Sequence, residues 1–215
     1  MTAQPRAILF DWDNTLVDSW DTIHDALGHA FIAFGREPWT LAEVKERTRL
    51  SLADAFPKLF GDRWPEARRH YLDRFLEIHL ERIRPLPGAE QLLDLLGAMG
   101  LPLGVVSNKT GYILRLEAEH FGWSARFRKI VGAGDAAADK PDGAPILLAL
   151  HAVGQPPGPE VWYVGDTEMD MACAANAGCA AVLLAGGDLV EAAGTAAPRF
   201  RFAGCEALAR HLKGL

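Results

Sequence analysis

The chain has few cysteines, and their number and spacing exclude two common kinds of cysteine site. Its three cysteines, Cys173, Cys179 and Cys205, are an odd number and form no Cys-x-x-Cys pair. Such a set indicates neither a disulfide framework nor a thiolate zinc site. We therefore expect buried thiols in a reducing cytoplasm.

Basic charge and long apolar runs are also scarce. Twenty-two lysines and arginines face 28 aspartates and glutamates, a net charge of −6, which argues against a nucleic-acid footprint and a polybasic membrane anchor. No apolar stretch reaches the ~18 residues of a transmembrane helix, and two aspartates break the N-terminal apolar run, so it is not a secretory signal. The seven histidines form no His-x-x-x-His pair, which disfavours zinc hydrolysis. The sequence predicts a cytoplasmic protein without nucleic-acid or membrane partners.

Short apolar runs alternate with helical patterns along most of the chain. The predicted strands are residues 7–10, 103–106, 129–131, 161–164 and 180–184, and a representative helix is 89–99. Alternation of this kind implies a parallel sheet with helices on both faces. The strands are almost continuously apolar, as expected of strands buried on both faces. The predicted fold class is therefore α/β.

The interval from about residue 17 to residue 84 carries helical patterns and no convincing strand. We interpret it as a helical insertion that lies over the carboxyl ends of the strands, where ligands bind in open α/β sheets. The alternative is a simple helical embellishment of the core.

Two aspartates, Asp11 and Asp13, directly follow the first apolar run. Residues two apart in an extended segment point to the same side, so their carboxylates would project together from the end of a strand. One acid could attack a substrate while the other moves a proton. The alternative is a strand that ends in an ordinary polar turn.

Polar residues follow later apolar runs in the same way. Ser107 and Asn108 offer hydroxyl, amide and backbone N–H groups for phosphate oxygens, and Lys140 could neutralise a transferring phosphoryl group. Asp166 and Asp170 are hard oxygen donors that suit Mg²⁺. Each also has a plainer interpretation: a turn for Ser107-Asn108, a surface lysine for Lys140, and a helix N-cap near Asp166.

These residues together resemble the ordered motifs of the haloacid dehalogenase-like hydrolase superfamily. Within it, the sequence is most similar to the phosphatase branch, in its phosphoglycolate phosphatase-like group. The motif residues are Asp11-Trp12-Asp13-Asn14-Thr15-Leu16, Ser107-Asn108, Lys140-Pro141, and Gly165-Asp166 with Asp170.

The resemblance implies a Rossmann-like core, residues 1–16 and 85–215, with a small helical cap, residues 17–84, inserted after the first strand. It implies that Asp11 attacks phosphorus to form an aspartyl-phosphate and that Asp13 is the acid and base. Mg²⁺ would be held by Asp11, the backbone carbonyl of Asp13 and Asp166, with Asp170 acting directly or through water. The phosphoryl oxygens would be bound by Ser107, Asn108 and Lys140.

The chain departs from the family pattern at three places. Asn14 replaces the usual glycine, but asparagine tolerates a left-handed backbone. Gly143 replaces the second proline of Lys-Pro-x-Pro, which predicts a looser or differently aimed loop. Thr48, Arg49 and Ser51 fall where related caps carry a substrate loop. Arg49 would bind a substrate carboxylate there, or it is a solvated helix residue.

The predicted function is Mg²⁺-dependent hydrolysis of a small phosphorylated metabolite, with 2-phosphoglycolate as the leading substrate and a monomer or homodimer as the assembly. Two alternatives stay open at this point. One is a sugar-phosphate mutase that returns the phosphoryl group to the sugar. The other is a non-catalytic protein that binds a phosphorylated metabolite.

Overall fold

The computed structural model describes residues 4–48, 50–184 and 196–215, and the chain divides into two compact units. One unit comprises Met1–Val17 and Pro85–Leu215, and the other Asp18–Arg84. The strands are β1 Ala7–Phe10, β2 Val17–Asp18, β3 Arg84–Pro85, β4 Leu103–Thr110, β5 Lys129–Ala133, β6 Val161–Gly165, β7 Ala180–Leu184 and β8 Phe200–Phe202. The α-helices are α1 Trp20–Ala33, α2 Leu41–Arg47, α3 Leu52–Phe60, α4 Trp64–Arg82, α5 Ala89–Ala98, α6 Gly111–His120, α7 Ala144–Val153, α8 Glu168–Asn176 and α9 Cys205–Lys213.

The first unit contains a parallel sheet in which β1 is central. The described strands lie in the order β5-β4-β1-β6-β7-β8, and the registers of successive neighbours are all parallel. From β1 the chain first builds outward through β4 and β5. It then returns to the other side of β1 with β6, so the direction of winding reverses beside β1.

Helices cover both faces of this sheet. Leu9 and Tyr163 belong to a buried cluster with residues of α7 and α8. Side chains alternate between the two faces of a strand, and Trp162 accordingly meets the ring of His211 on α9 at 6.3 Å. All four residues of β1 are fully buried. These observations confirm the predicted α/β class with a Rossmann-like parallel sheet.

The second unit is built mainly from α1 to α4. Phe31 of α1 and Phe56 of α3 are buried and both contact Phe60, with ring centroids 5.4 and 5.2 Å apart. Asp25 of α1 accepts hydrogen bonds from Arg74 of α4 at 2.7 and 3.3 Å. An aromatic cluster and an ion pair therefore hold the helices of this unit together.

The structure extends several predicted elements. The strand predicted for 103–106 continues to Thr110, with an irregular register between Val106 and Thr110, so Ser107 and Asn108 lie inside β4 rather than after it. The two-residue strands β2 and β3 pair with each other and flank the helical interval. The edge strand β8 was not predicted, because three residues give too short a pattern.

The described residues contain no helix that combines the length and apolarity needed to span a membrane.

Candidate active site

The sheet order brings the first and fourth motifs together. The backbone N–H of Asp11, directly after β1, donates to the carbonyl oxygen of Val164 in β6 at 2.8 Å. Asp166 directly follows β6. Two acids far apart in the sequence therefore leave neighbouring parallel strands at the same edge of the sheet, where open α/β sheets bind ligands.

Three buried or half-buried carboxylates form one group at this edge. Asp11, Asp166 and Asp170 each offer one oxygen, and these oxygens lie within 4.8 Å of one another. Asp170 is fixed by a capping box at the start of α8, in which Thr167 is the N-cap. The predicted helix start and the predicted acidic group are therefore both present. Asp170 belongs to both, since it completes the capping box and also contributes an oxygen to the group.

Gly165 explains how Asp170 approaches the end of β6 so closely. A Cβ at position 165 would lie 2.3 to 2.6 Å from side-chain atoms of Asp170. Only glycine leaves room for that carboxylate.

Lys140 is buried among the acids rather than exposed on the surface. Its Nζ donates to Asp11 Oδ1 at 2.8 Å and to Asp170 Oδ1 at 2.7 Å. Asn108 holds the backbone of Lys140 through two hydrogen bonds. Its Oδ1 accepts from the Lys140 N–H at 2.9 Å, and its Nδ2 donates to the Lys140 carbonyl oxygen at 3.1 Å. The Asn108 side chain thus holds the Lys140 backbone, and contact of Asn108 with phosphate stays a prediction.

Burial and neighbouring charge shift the acids in different directions. Burial, aided by the charge of Asp170, raises the pKa of Asp11 to about 6 although Lys140 opposes the rise. Burial and the charges of Asp170 and Asp11 raise the pKa of Asp166 well above its usual value. Burial also disfavours ionised Asp170, but the Lys140 ammonium and hydrogen bonds from Lys140 and Thr167 lower its pKa. The group therefore has excess negative charge that a cation would compensate.

Two further side chains hold the acids, and the sequence analysis assigned a role to neither. The single O–H of Tyr163 is shared between two acceptors, Asp170 Oδ1 at 3.1 Å and the Val106 carbonyl oxygen at 2.8 Å. Thr15 Oγ1 donates to Asp166 Oδ1 at 3.2 Å. A signal for Tyr163 exists, because a tyrosine in an otherwise apolar strand needs a partner for its hydroxyl.

Asp13 contacts a second lysine, Lys109, which the sequence analysis also missed. Lys109 Nζ donates to Asp13 Oδ1 at 2.6 Å and to both oxygens of Glu117 at 2.9 and 2.8 Å. The indole N–H of Trp12 donates to Glu117 Oε2 at 2.7 Å. Helical spacing gave a signal for Glu117, since it shares the buried stripe of α6 with Ile113 and Leu114.

The remaining predicted site residues have mixed positions. Ser107 is buried, and its Oγ accepts from the backbone N–H of Lys109 at 3.3 Å. In the second unit, Thr48 ends α2, and Ser51 Oγ donates to Asp54 Oδ2 at 3.1 Å at the start of α3. Arg49 lies outside the described residues.

The structure accounts for two of the departures from the family pattern. Asn14 adopts the left-handed conformation, with a φ of 63°. At Gly143, a Cβ would lie 2.9 Å from backbone atoms of Asn176 and Ala177. Gly143 therefore marks close packing between the Lys140 loop and the end of α8, and a looser or differently aimed loop stays a prediction.

The arrangement combines a buried carboxylate, two more carboxylates and an ammonium group. Clustered carboxylate oxygens without histidine or thiolate fit the donor preference of Mg²⁺. A lysine that touches two of these acids can also neutralise an anionic group brought to Asp11.

Comparison with known proteins gives one family. A family model described as haloacid dehalogenase-like hydrolase matches residues 8–184. The chain is 33% identical over 180 residues to a phosphoglycolate phosphatase of Xylella fastidiosa, covering 82% of this chain and 78% of that protein.

Solved structures agree with this family. A HAD-superfamily hydrolase from Ehrlichia chaffeensis is 28% identical, with a TM-score of 0.68 and coverage of 100% of this chain and 99% of the other. CbbY from Rhodobacter sphaeroides, solved in complex with phosphate, is 21% identical, with a TM-score of 0.82 and coverage of 95% and 96%. The second likeness concerns the fold alone.

Proposed function

Because this chain belongs to the haloacid dehalogenase-like hydrolases, we propose that it is a Mg²⁺-dependent phosphatase that forms an aspartyl-phosphate on Asp11. Its substrate is a small phosphorylated metabolite, and 2-phosphoglycolate is the leading candidate. The observation that carries the proposal is the contact of Lys140 with both Asp11 and Asp170 inside a group of three carboxylates.

Asp11 is the proposed nucleophile. One of its carboxylate oxygens forms a bond to phosphorus while the bond from phosphorus to the leaving oxygen breaks. Water then attacks phosphorus, the bond to Asp11 breaks, and inorganic phosphate leaves. The burial of Asp11 favours this role, since a desolvated carboxylate is not shielded by a water shell.

Asp13 is the proposed proton carrier. Its carboxyl group donates a proton to the leaving alkoxide in the first step and accepts one from the attacking water in the second, so it is restored after each turnover. Asp13 is more exposed than Asp11, with 19% of its side chain accessible against 7%. That difference supports separate roles for the two acids.

Asp11, Asp166 and Asp170, together with the backbone carbonyl of Asp13, would hold Mg²⁺. When bound, the cation would keep Asp11 ionised and offset charge on the phosphoryl oxygens. Lys140 would contact a phosphoryl oxygen and lower the repulsion between Asp11 and its anionic substrate. Ser107, in the same strand as Lys109, is proposed to donate a hydrogen bond from its hydroxyl to an oxygen of the same phosphoryl group.

The test is a screen for phosphate release from a panel of phosphorylated metabolites in the presence of Mg²⁺. Wild type should release phosphate from at least one member, and Asp11→Asn should lose about 10⁴-fold or more, because the attacking carboxylate is gone. Asp94→Asn is the matched control, since Asp94 is an exposed aspartate paired with Arg126. It should retain wild-type activity.

Persisting activity in Asp11→Asn would refute the nucleophile. If hexose 1-phosphate and its bisphosphate gave an isomerised sugar phosphate without free phosphate, the mutase alternative would replace hydrolysis. If the protein bound Mg²⁺ and phosphate but released no phosphate from any substrate, the non-catalytic alternative would replace hydrolysis.

The name of the Xylella relative supports 2-phosphoglycolate as the substrate, and Arg49 is the proposed partner of its carboxylate. Arg49→Ala should raise KM for 2-phosphoglycolate about 10-fold or more and leave KM for p-nitrophenyl phosphate nearly unchanged, because only the first carries a carboxylate. Equal changes for both substrates would contradict this role. The cytoplasmic location and the monomeric or homodimeric state also stay predictions.

A further inference from the structure

A chain of buried polar groups leads from the core of the first unit to Asp13. The side chains of Lys109 and Glu117 are 5% and 0% exposed. Trp12, which lies between Asp11 and Asp13 in the sequence, is fully buried. Trp12 donates to Glu117, Glu117 accepts from Lys109, and Lys109 donates to Asp13. Trp12, Glu117 and Lys109 thus form one hydrogen-bonded series that ends at Asp13.

The position of the lysine in this series is set by rigid elements. Lys109 belongs to β4 and Glu117 to α6, and the Trp12 ring packs edge-to-face against Trp123 with centroids 5.7 Å apart. The Lys109 ammonium donates to both carboxylate oxygens of Glu117 and to one oxygen of Asp13. The two lysines therefore have different partners: Lys109 contacts Asp13, whereas Lys140 contacts Asp11 and Asp170.

The charges show why the lysine stays cationic. Burial alone would lower the pKa of Lys109, but the carboxylates of Asp13 and Glu117 raise it above its usual value. A buried carboxylate such as Glu117 is costly unless it is paired. Its presence behind Lys109 gives the ammonium a fixed location close to Asp13.

We propose that Lys109, anchored by Glu117 and Trp12, is a positioning residue that aims the carboxyl group of Asp13 at the oxygen of the leaving group. The inference rests on the proposed role of Asp13 as the proton donor. Lys109 itself touches neither the substrate nor the phosphorus. Its effect is confined to the step in which the proton of Asp13 passes to the leaving oxygen as the bond from phosphorus to that oxygen breaks.

The leaving group distinguishes this role from a general structural one. An alkoxide needs a proton to leave, whereas p-nitrophenolate is stable without one, so a misplaced acid affects only the first. The parameter kcat/KM reports the steps up to loss of the leaving group and omits the later hydrolysis of the intermediate. Comparing kcat/KM for an alkyl phosphate substrate and for p-nitrophenyl phosphate therefore isolates proton donation.

The experiment uses the full-length protein with Mg²⁺ and the variant Lys109→Met. We expect kcat/KM to fall about 100-fold for the alkyl phosphate and less than about 10-fold for p-nitrophenyl phosphate. Because Lys109→Met leaves Glu117 buried without its lysine, the double variant Lys109→Met/Glu117→Gln is measured beside it. It removes the unpaired buried charge and should keep the same selective loss.

Two further variants complete the test. Arg115→Met removes a cation from α6 whose partner is Asp135, and it should affect both substrates alike and only slightly. Equal losses for both substrates in the double variant, or no loss in either, would overturn the positioning role. Asp13→Asn tests the underlying assignment separately: if it shows no selective loss on the alkyl phosphate, the proposed role of Asp13 fails, whatever Lys109 does.

Discussion

Individual residues in this site are held in place by charge and by the lack of space for anything larger. Asp170 accepts hydrogen bonds from Lys140, Tyr163 and Thr167, and Gly165 leaves the room it occupies. Lys140 and Tyr163 contact its Oδ1 and Thr167 contacts its Oδ2, so both oxygens of the carboxylate are held. Changes to them should therefore alter the proposed metal site without removing any of its acids.

Gly165→Ala should weaken Mg²⁺ binding, because the new methyl group would overlap Asp170 and displace its carboxylate. We expect the Mg²⁺ concentration that gives half-maximal activity to rise about 10-fold or more. Gly97→Ala is the matched control, since a Cβ at position 97 in α5 meets nothing within 4 Å. Titration of activity against Mg²⁺ would contradict the prediction if the two variants had the same midpoint.

Tyr163→Phe should destabilise the protein by about 1 to 3 kcal/mol, because Asp170 and the Val106 carbonyl lose a buried donor. The pKa of Tyr163 is raised well above its usual value by burial and by the charges of Asp170 and Asp11, so the hydroxyl remains a donor at neutral pH. Denaturant midpoints measure the effect. Tyr112→Phe, at an exposed tyrosine of α6, should leave the midpoint unchanged.

At the scale of elements, an ion pair joins the first and last helices of the second unit. Asp25 of α1 accepts from Arg74 at 2.7 Å and from Arg82 at 2.8 Å, and both arginines belong to α4. Hydrogen bonds from Arg74 lower the pKa of Asp25, with Arg82 adding to the effect and burial opposing it. A partly exposed pair of this kind contributes little at any one pH but gives a characteristic pH dependence.

Asp25→Asn should lower the free energy of unfolding by about 0.5 kcal/mol at neutral pH, after allowance for solvent screening. The sign with pH follows from the lowered pKa: the contribution of Asp25 is complete above its unfolded value of 3.8 and is lost as pH falls below that value. Denaturant unfolding of wild type and variant should therefore converge in acid. If the difference in free energy of unfolding between wild type and Asp25→Asn grew in acid, the stabilising role of the Asp25 ion pair would be contradicted. Glu66→Gln, in an exposed pair with Arg63, is the control and should show almost no gap at either pH.

At the scale of the whole molecule, the clustered acids would couple folding of the first unit to the proposed cation. Asp11, Asp166 and Asp170 come from segments before β2 and after β6, so they meet only in the folded chain. A ligand that binds the folded state and not the unfolded chain stabilises the fold by mass action. The proposed metal site therefore predicts that the stability of the protein depends on Mg²⁺.

Mg²⁺ at 100 times its Kd should stabilise wild type by about 2.7 kcal/mol, which a thermal shift series would detect. Asp166→Asn should lose most of this shift, because it removes one of the three oxygen donors. Asp94→Asn should keep it. An equal Mg²⁺ shift in Asp166→Asn and wild type would exclude Asp166 as a ligand.

Much of the fold could be predicted from local pattern. The strands 7–10 and 180–184 have the predicted bounds, because continuous apolar runs between polar turns leave few alternatives. The continuation of β4 through Ser107 and Asn108 was missed, since polar residues at the end of a strand look like a turn until the neighbouring strand is known.

The sequence by itself determined the kind of chemistry: paired aspartates after a strand, then a lysine and two further acids, in the order of one family. Only the tertiary structure decided which lysine serves which acid, placing Lys140 on Asp11 and Lys109 on Asp13. The spacing between those partners is 129 and 96 residues. No local pattern encodes such a pairing, because it depends on strand order and on which buried charges compensate one another once water is excluded.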